Sequence, residues 1–312
     1  MSRDALPELE IALLCSLYYL EPASTASLLA PPRAENDLHA LMAERLGAVR
    51  APAVEQELQR LVTEGLAGRD GLRWRLTDRG RALAYEAGEL EIQRQSGLWR
   101  KVVALLPARS SFQRILDVGS AGGSAARAMR EAGLLASDGI YIGVDISHRA
   151  LTAGIELAHL GGGQDAATLR VQSTAYRLPL PGEAVDCCVS RSTLYYLRKR
   201  SALAEMARVA RTGGYLIVAV PTIAYMTRRA LRGWAALRVR EAIKYTAAML
   251  LGSVAWLGVD VRPPRALFSG ETKRSVRAQV ARIPAVRIIF LEKVSLPFIG
   301  TPLLLVAEKL AA

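Results

Sequence analysis

The stretch Ile115–Ser124, ILDVGSAGGS, decides the fold of this chain. Leu116 and Val118 are apolar residues of a buried strand, which closes on the acidic Asp117 and runs into a turn of small residues. Gly119, Gly122 and Gly123 permit a tight turn and a close approach of backbone to ligand, and Ser124–Ala132 has the composition of the following helix. Such a strand, turn and helix form the entry unit of nucleotide-binding α/β folds. The next strand signal, Tyr141–Asp145 (YIGVD), ends in a carboxylate 22 residues after Gly123, the spacing at which an acid meets ribose hydroxyls.

A dinucleotide loop reads G-x-G-x-x-G, whereas the corresponding positions here are Gly119, Ala121 and Ser124, so a pyrophosphate site is poorly supported. Asp117 instead suits a cofactor without phosphates that carries an amine, because a carboxylate pairs with an ammonium and repels an anion.

With Asp117, Gly119, Ala121 and Gly123 in a D-x-G-x-G-x-G pattern, the chain resembles the class I S-adenosylmethionine-dependent methyltransferases, in particular their broad small-molecule group. Two later segments follow in that family's order, VQSTAYRLPLPGEAVDCCVSRSTLYYL from Val171 and ALAEMARVARTGGYLIVAVP from Ala202. The resemblance spans roughly residues 99–310 and is weakest over 222–269.

Strand signals at Ile115–Val118, Tyr141–Val144, Thr168–Gln172, Ala184–Ser190 and Tyr215–Val220 alternate with helical segments, which predicts a doubly wound, mostly parallel sheet. A closing pair, Ala285–Val294 and Pro302–Glu308, joined through Pro297, Gly300 and Pro302, predicts an antiparallel hairpin that completes a seven-stranded Rossmann-like sheet. Ligands bind outside the carboxyl ends of such strands. The resemblance then implies S-adenosylmethionine as cofactor: Asp117 and the loop Gly119, Ser120, Ala121, Gly122 and Gly123 toward its amino acid portion, Asp145 on the ribose and Ile146 against adenine. It also places Ser173, Thr174, Ala175 and Ser190 in that site, and Arg191, Tyr195 and Tyr196 where the acceptor is oriented. One departure matters: where the family often carries Asp near the adenine amino group, Ser173–Ala175 offers uncharged hydroxyls.

Methyl transfer from a sulfonium is an in-line displacement in which the protein chiefly aligns the partners. No metal-ligand spacing occurs, and His39, His148 and His159 give no clear general base. Cys187 and Cys188 lie inside a core strand, without the Pro-Cys context of a covalent thiolate and without disulfide spacing. Three cysteines and the lack of a basic, cleavable leader point to the cytoplasm.

The first 90 residues carry 10 arginines, no lysine and 14 acids, net −4, while the remainder carries 31 basic and 15 acidic residues, net +16. Basicity of that kind attracts nucleic acid, anionic lipid or an acidic substrate, although arginine supplies 35 of the 41 basic residues and biased coding composition explains it as well. Glu8–Leu20, Ser24–Leu29, Asn36–Leu46 and Val54–Leu66 read as helices, with Ser24 and Asn36 as N-caps. They are followed by a hairpin signal at Leu72–Leu76 and a helix near Arg81–Leu90. Residues 1–92 therefore resemble a winged helix, joined to a methyltransferase domain over 93–312. Glu55, Glu57 and Glu64 face a single Arg60 on the would-be recognition helix, which disfavours DNA and leaves homodimerisation or substrate covering.

Between Pro221 and Phe268, Arg228, Arg229, Arg232, Arg238, Arg240 and Lys244 interleave with Met226, Leu231, Trp234, Leu237 and Ile243, a basic amphipathic pattern. The apolar run Thr246–Gly258 after it is too short to span a bilayer. The 222–268 insertion reads as a lid, with a lipophilic substrate platform or a peripheral membrane contact over 226–257 as alternatives. The expected activity is methylation of a small hydrophobic or aromatic acceptor, oxygen before carbon. An RNA or DNA methyltransferase is weakened because strand four ends VSRS rather than in an N/D-P-P-Y/F motif, and a winged-helix regulator with a cofactor-sensing domain is a third reading.

Overall fold

Five strands pair in parallel, the central ones as apolar runs that bury both faces under crossover helices. The computed structural model describes residues 5–20, 28, 42, 46, 49–107, 111–160, 167–235, 239–256, 271–296 and 301–311. The predicted caps Ser24 and Asn36, His39, Pro297, Gly300 and the end of the insertion lie outside the described residues, as do the helices over 24–29 and 36–46 apart from Leu28, Met42 and Leu46, which are helical.

The elements in chain order are α1 (Ala5–Leu20), α2 (Ala51–Thr63), β1 (Ala67–Asp70), β2 (Arg73–Leu76), α3 (Asp78–Gln95), α4 (Leu98–Leu105), β3 (Phe112–Val118), α5 (Ala125–Glu131), β4 (Leu135–Asp145) and α6 (His148–Leu160). They continue with β5 (Thr168–Gln172), β6 (Val185–Arg191), a 3-10 turn (Leu194–Tyr196), α7 (Lys199–Val209), β7 (Ala210–Val220), α8 (Ile223–Ala235), α9 (Val239–Trp256), α10 (Lys273–Val280), β8 (Val286–Lys293) and β9 (Leu303–Lys309).

The seven-stranded sheet has the order β5-β4-β3-β6-β7-β9-β8. β3 to β7 are parallel neighbours, and β9 runs antiparallel between β7 and β8. Chain order runs outward from β3 through β4 to β5, then resumes with β6 on the other side of β3. That reversal makes the carboxyl ends of β3 and β6 the topological switch point where ligands bind.

β4 and β7 begin earlier than the apolar runs predict, at Leu135 and Ala210. Leu135 pairs with Phe112 and Ala210 with Val185, and in each case a register shift follows before the regular ladder resumes. The polar stretches between, Ser137–Gly139 and Arg211–Gly214, hide these extra pairs from a reading by hydrophobic run. The insertion, expected as one basic helix and an apolar run, forms two helices, α8 and α9.

The chain divides into two compact units that do not follow sequence order. One holds the described residues of 1–96 together with 121–128 and 147–166, and the other holds 97–120, 129–146 and 167–312. In the second, Leu116, Val118, Val144, Cys188, Met206, Leu216, Val218 and Leu305 form a continuous core. Each fully buried side chain there contributes roughly 1.5–3 kcal/mol relative to an exposed one. In the first, α3 packs along α6. Thr77 caps α3 by accepting from Gly80 N at 3.0 Å, so this helix starts three residues before its predicted position. On α2, Arg60 bridges Glu10, Glu57 and Glu64, tying the helix's one basic side chain to its own acids and to α1.

Candidate active site

The turn after β3 is held from beneath and from the side. Gly119 N and Ser120 N both donate to Val144 O, at 2.8 and 3.1 Å, anchoring the turn on the end of β4. Thr193, beyond β6, donates its hydroxyl to Gly119 O at 3.2 Å. Gly119 has φ +77°, and a Cβ there would lie 2.2 Å from the Thr193 side chain, so only glycine fits. Ala121 is also left-handed, with φ +49°, a conformation that costs an L side chain roughly 1–2 kcal/mol and marks a constrained loop.

Gly122 belongs to the compact unit that contains α3 and α6. Its N–H donates to the Glu86 carboxylate at 2.9 Å, and Glu86 is buried. A Cβ on Gly154 of α6 would lie 1.9 Å from Gly122 O, so loop and helix are in direct backbone contact. Arg79 and Arg149 extend this packing through ion pairs with Glu156 and Asp78. Sequence reasoning missed Glu86: an acid inside a helix 36 residues before the loop carries no local signal of its partner.

Asp117 is buried, and the Tyr141 hydroxyl donates to its carboxylate at 2.5 Å. Burial in low dielectric pushes its pKa up to about 7, the Tyr141 hydrogen bond opposes the shift, and the nearby Asp145 charge adds to it. Asp145 ends β4, its carbonyl accepting from Ser173 N at 3.0 Å. Ile146 follows it, 74% exposed, an apolar side chain held out at the carboxyl edge of the sheet. The Ile146 carbonyl is fixed by Gln172 Nε2 at 3.1 Å. Ser173 donates its hydroxyl to Arg177 O, and Thr174 accepts from Tyr176 N, so the turn carrying Ser173, Thr174 and Ala175 is held by its own hydroxyls. Ser190 donates to Val118 O at 2.8 Å, which fixes the end of β6 against β3.

Within the unit that holds the sheet, Gly119, Ser120, Asp145, Ile146, Ser173, Thr174, Ala175, Ser190 and Arg191 all lie at or just past the carboxyl ends of β3 to β6. Cys187 and Cys188 are buried in β6, and desolvation raises both thiols, so neither is a thiolate at neutral pH. His148 and His159 sit at the two ends of α6. Among the described residues no group of three or more His, Cys, Asp or Glu side chains is placed to hold a metal.

Beside the end of β6 lies a cavity of about 180 Å³. Tyr195, Tyr196, Tyr225 and Tyr245 line it with Met226, Lys244 and Ser192. Ser192 is left-handed at φ +54°, and its N–H donates to Ala219 O at 2.9 Å. Tyr195 and Tyr196 stack with ring centroids 4.3 Å apart, and Tyr225 meets Tyr245 edge to face at 6.4 Å. Arg229 lies over the Tyr245 ring, 5.1 Å from its centroid. Tyr195 and Tyr196 were expected here; Tyr225, Met226, Lys244 and Tyr245 were not, because their place depends on how α8 folds back on α9.

These features fit a sulfonium amino acid nucleoside better than a dinucleotide. Asp117 offers a carboxylate where a phosphate would be repelled, and Ile146 presents an uncovered apolar face.

Comparison with known proteins agrees with this chemistry. Residues 116–218 match the family model described as a methyltransferase domain. No curated protein sequence matches the chain. Among solved structures, a Haloferax volcanii complex of a methyltransferase activator with a methyltransferase aligns at 14% identity and TM-score 0.50, over 74% of this chain and 98% of that one. An S-adenosylmethionine-dependent methyltransferase of Methanococcus maripaludis aligns at 12% identity and TM-score 0.50, over 75% and 94%. One from Aquifex aeolicus aligns at 15% identity and TM-score 0.46, over 71% and 97%. At such identities the likeness is one of fold. Residues 116–218 are a class I methyltransferase domain, and this enzyme's cofactor is S-adenosylmethionine.

Proposed function

We propose that the enzyme methylates a small hydrophobic or aromatic acceptor, on oxygen before carbon, held in the tyrosine-lined cavity beside β6. The observation that carries this reading is the lining itself: four tyrosines and Met226 around about 180 Å³ suit a flat, apolar molecule with a few polar groups. Bound S-adenosylmethionine supplies an electrophilic methyl carbon. Asp117 and the turn Gly119–Gly123 hold its amino acid portion, Asp145 its ribose hydroxyls, and Ile146 with Ser173, Thr174 and Ala175 its adenine, with Ser190 bracing the turn. Tyr195, Tyr196 and Arg191 orient the acceptor. Alignment of this kind is where the protein lowers the barrier, since an in-line displacement requires the two reacting atoms to approach along one axis.

In the same proposal residues 1–92 are a winged-helix-like domain for homodimerisation or substrate covering, 93–312 the catalytic domain and 222–268 a lid. The three thiols, all buried and free, suit the cytoplasm. A nucleic-acid acceptor is the weaker reading because the chain leaves β6 through VSRS, without the N/D-P-P-Y/F motif of amino-group nucleic-acid methylation.

The test is an acceptor screen with labelled cofactor, repeated with Tyr225→Ala. The expected result is transfer to a phenolic or enolic small molecule, with an acceptor KM about tenfold higher in the variant, roughly the loss of one aromatic contact. Affinity for S-adenosylhomocysteine should not change. Transfer to RNA or DNA alone, or an unchanged acceptor KM, would remove the cavity from the account.

A further inference from the structure

Helices α8 and α9 turn their inner faces on each other. Met226 and Ala248 form a small core with Tyr225 and Tyr245, and Thr227 Oγ1 donates to Met249 Sδ at 3.3 Å, while at the exposed edge of the pair Trp234 Nε1 donates to Thr246 Oγ1 at 3.4 Å. The outer faces show a different pattern. Ala224, Arg228, Leu231 and Trp234 are exposed along α8 at spacings of three and four, one stripe of a helix. On α9 the exposed set is Val239, Arg240, Ile243, Lys244 and Leu250.

Large apolar side chains left in water concentrate here. Fifteen are exposed among the described residues, and five of them, Leu231, Trp234, Val239, Ile243 and Leu250, fall within 20 residues at 48–65% exposure. Scattered singly such residues mean little, but a contiguous set rimmed by charge marks a surface that something covers. Charge decides what. The charged residues exposed on the described part of the two helices, Arg228, Arg240 and Lys244, are all basic, and from Ile223 to Trp256 the sequence holds six basic residues against Glu241 alone, net +5. A second copy of this face would bring like charges together, whereas an anionic bilayer complements both the cations and the apolar side chains between them. Among the described residues no helix is long and apolar enough to cross a membrane, so the contact is one of lying on the surface, with Trp234 at the depth where indole is favoured.

We infer that the outer face of the α8–α9 hairpin docks on an anionic lipid bilayer, from which the cavity takes a lipophilic acceptor. The second clause rests on reading the cavity as the acceptor site. Its support is that Tyr225 and Met226 of α8 and Tyr245 of α9 line that cavity while their neighbours Ala224, Arg228 and Lys244 are exposed, and that Lys244 belongs to both the lining and the exposed face.

The experiment is co-sedimentation of the full chain with vesicles of phosphatidylcholine, alone or with about one third phosphatidylglycerol, followed also by the tryptophan emission shift. Binding should require the anionic lipid and weaken as salt rises. The pair Leu231→Ser with Ile243→Ser should lower vesicle partitioning about tenfold, and Arg228→Glu with Arg240→Glu by at least as much. Affinity for S-adenosylhomocysteine, measured on each variant, certifies that it is folded and should stay at the parent value. Partitioning unaffected by either pair would overturn the docking, as would equal binding to neutral vesicles or self-association through this face in their absence. Competition by a soluble polyanion that the charge reversal abolishes and the serine pair leaves intact would replace the bilayer with a nucleic-acid partner. Docking without any methyl transfer to lipophilic acceptors would keep the surface and remove only the acceptor reading.

Discussion

Asp117 is the residue on which the electrostatics of the site turn. Its folded pKa of about 7 lies above the value of about 3.9 expected in the unfolded chain, so the folded state binds the proton more tightly. That stabilisation is complete below about pH 4 and is lost as pH rises through 7, where the carboxyl must ionise within the core. Asn at this position keeps an oxygen to accept from Tyr141 and never ionises. Asp117→Asn should therefore gain stability over the parent by about 2–3 kcal/mol between pH 5 and pH 8, read from urea unfolding at the two pH values. A stability difference independent of pH would show that Asp117 is ionised throughout. Under the proposed cofactor assignment, the same substitution removes the negative charge that would meet the ligand's ammonium.

At the scale of elements, the two ends of the segment that carries α8 and α9 are tied together. Where the chain leaves β7 and later returns to α10, Glu271 N donates to Pro221 O at 3.0 Å and Ile223 N to Glu271 O at 3.1 Å. The Glu271 carboxylate lies 3.0 Å from Lys199 Nζ of α7 and accepts from Ser275 Oγ at 2.7 Å; both charged side chains are buried. Thr272 and Ser275 complete a capping box on α10. A buried pair of this kind adds little net stability over an apolar pair but is costly to break, because the partner left behind is charged and dry. Glu271→Ala should thus destabilise by roughly 3–5 kcal/mol, while Lys199→Met combined with Glu271→Leu should come out near the parent. Chemical denaturation of the three proteins decides it; equal losses for the single and double variants would mean that the pair is held for its net attraction.

Over the whole molecule, much of the sheet was legible because strand and helix periods differ and because Ile115–Ser124 fixes where the winding begins. The seven strands, their alternation with helices and the closing antiparallel pair follow from that pattern. What stayed hidden depends on packing between distant segments. Glu86 meets Gly122 only because α3 lies along α6, and Tyr225 and Tyr245 reach one cavity only because the chain reverses between α8 and α9. The segment between α8 and α9 lies outside the described residues, and its sequence, Ala236 to Arg238, holds neither glycine nor proline as a turn signal. The exposure of Leu231 and Ile243 was equally unreadable: an amphipathic pattern tells which residues share a face, and burial alone tells whether that face is covered.

The central claim is that the turn Gly119–Gly123 and Asp145 form the site for S-adenosylmethionine, and calorimetric titration of the full chain tests it most directly. S-adenosylmethionine and S-adenosylhomocysteine should bind with one site per chain and NAD should not. Asp145→Ala should weaken both ligands by about tenfold or more, the scale of a lost charged hydrogen bond, with Gly119→Arg abolishing binding through its clash with Thr193. Binding of NAD, or unchanged affinity in an Asp145→Ala protein whose circular dichroism matches the parent, would contradict the account.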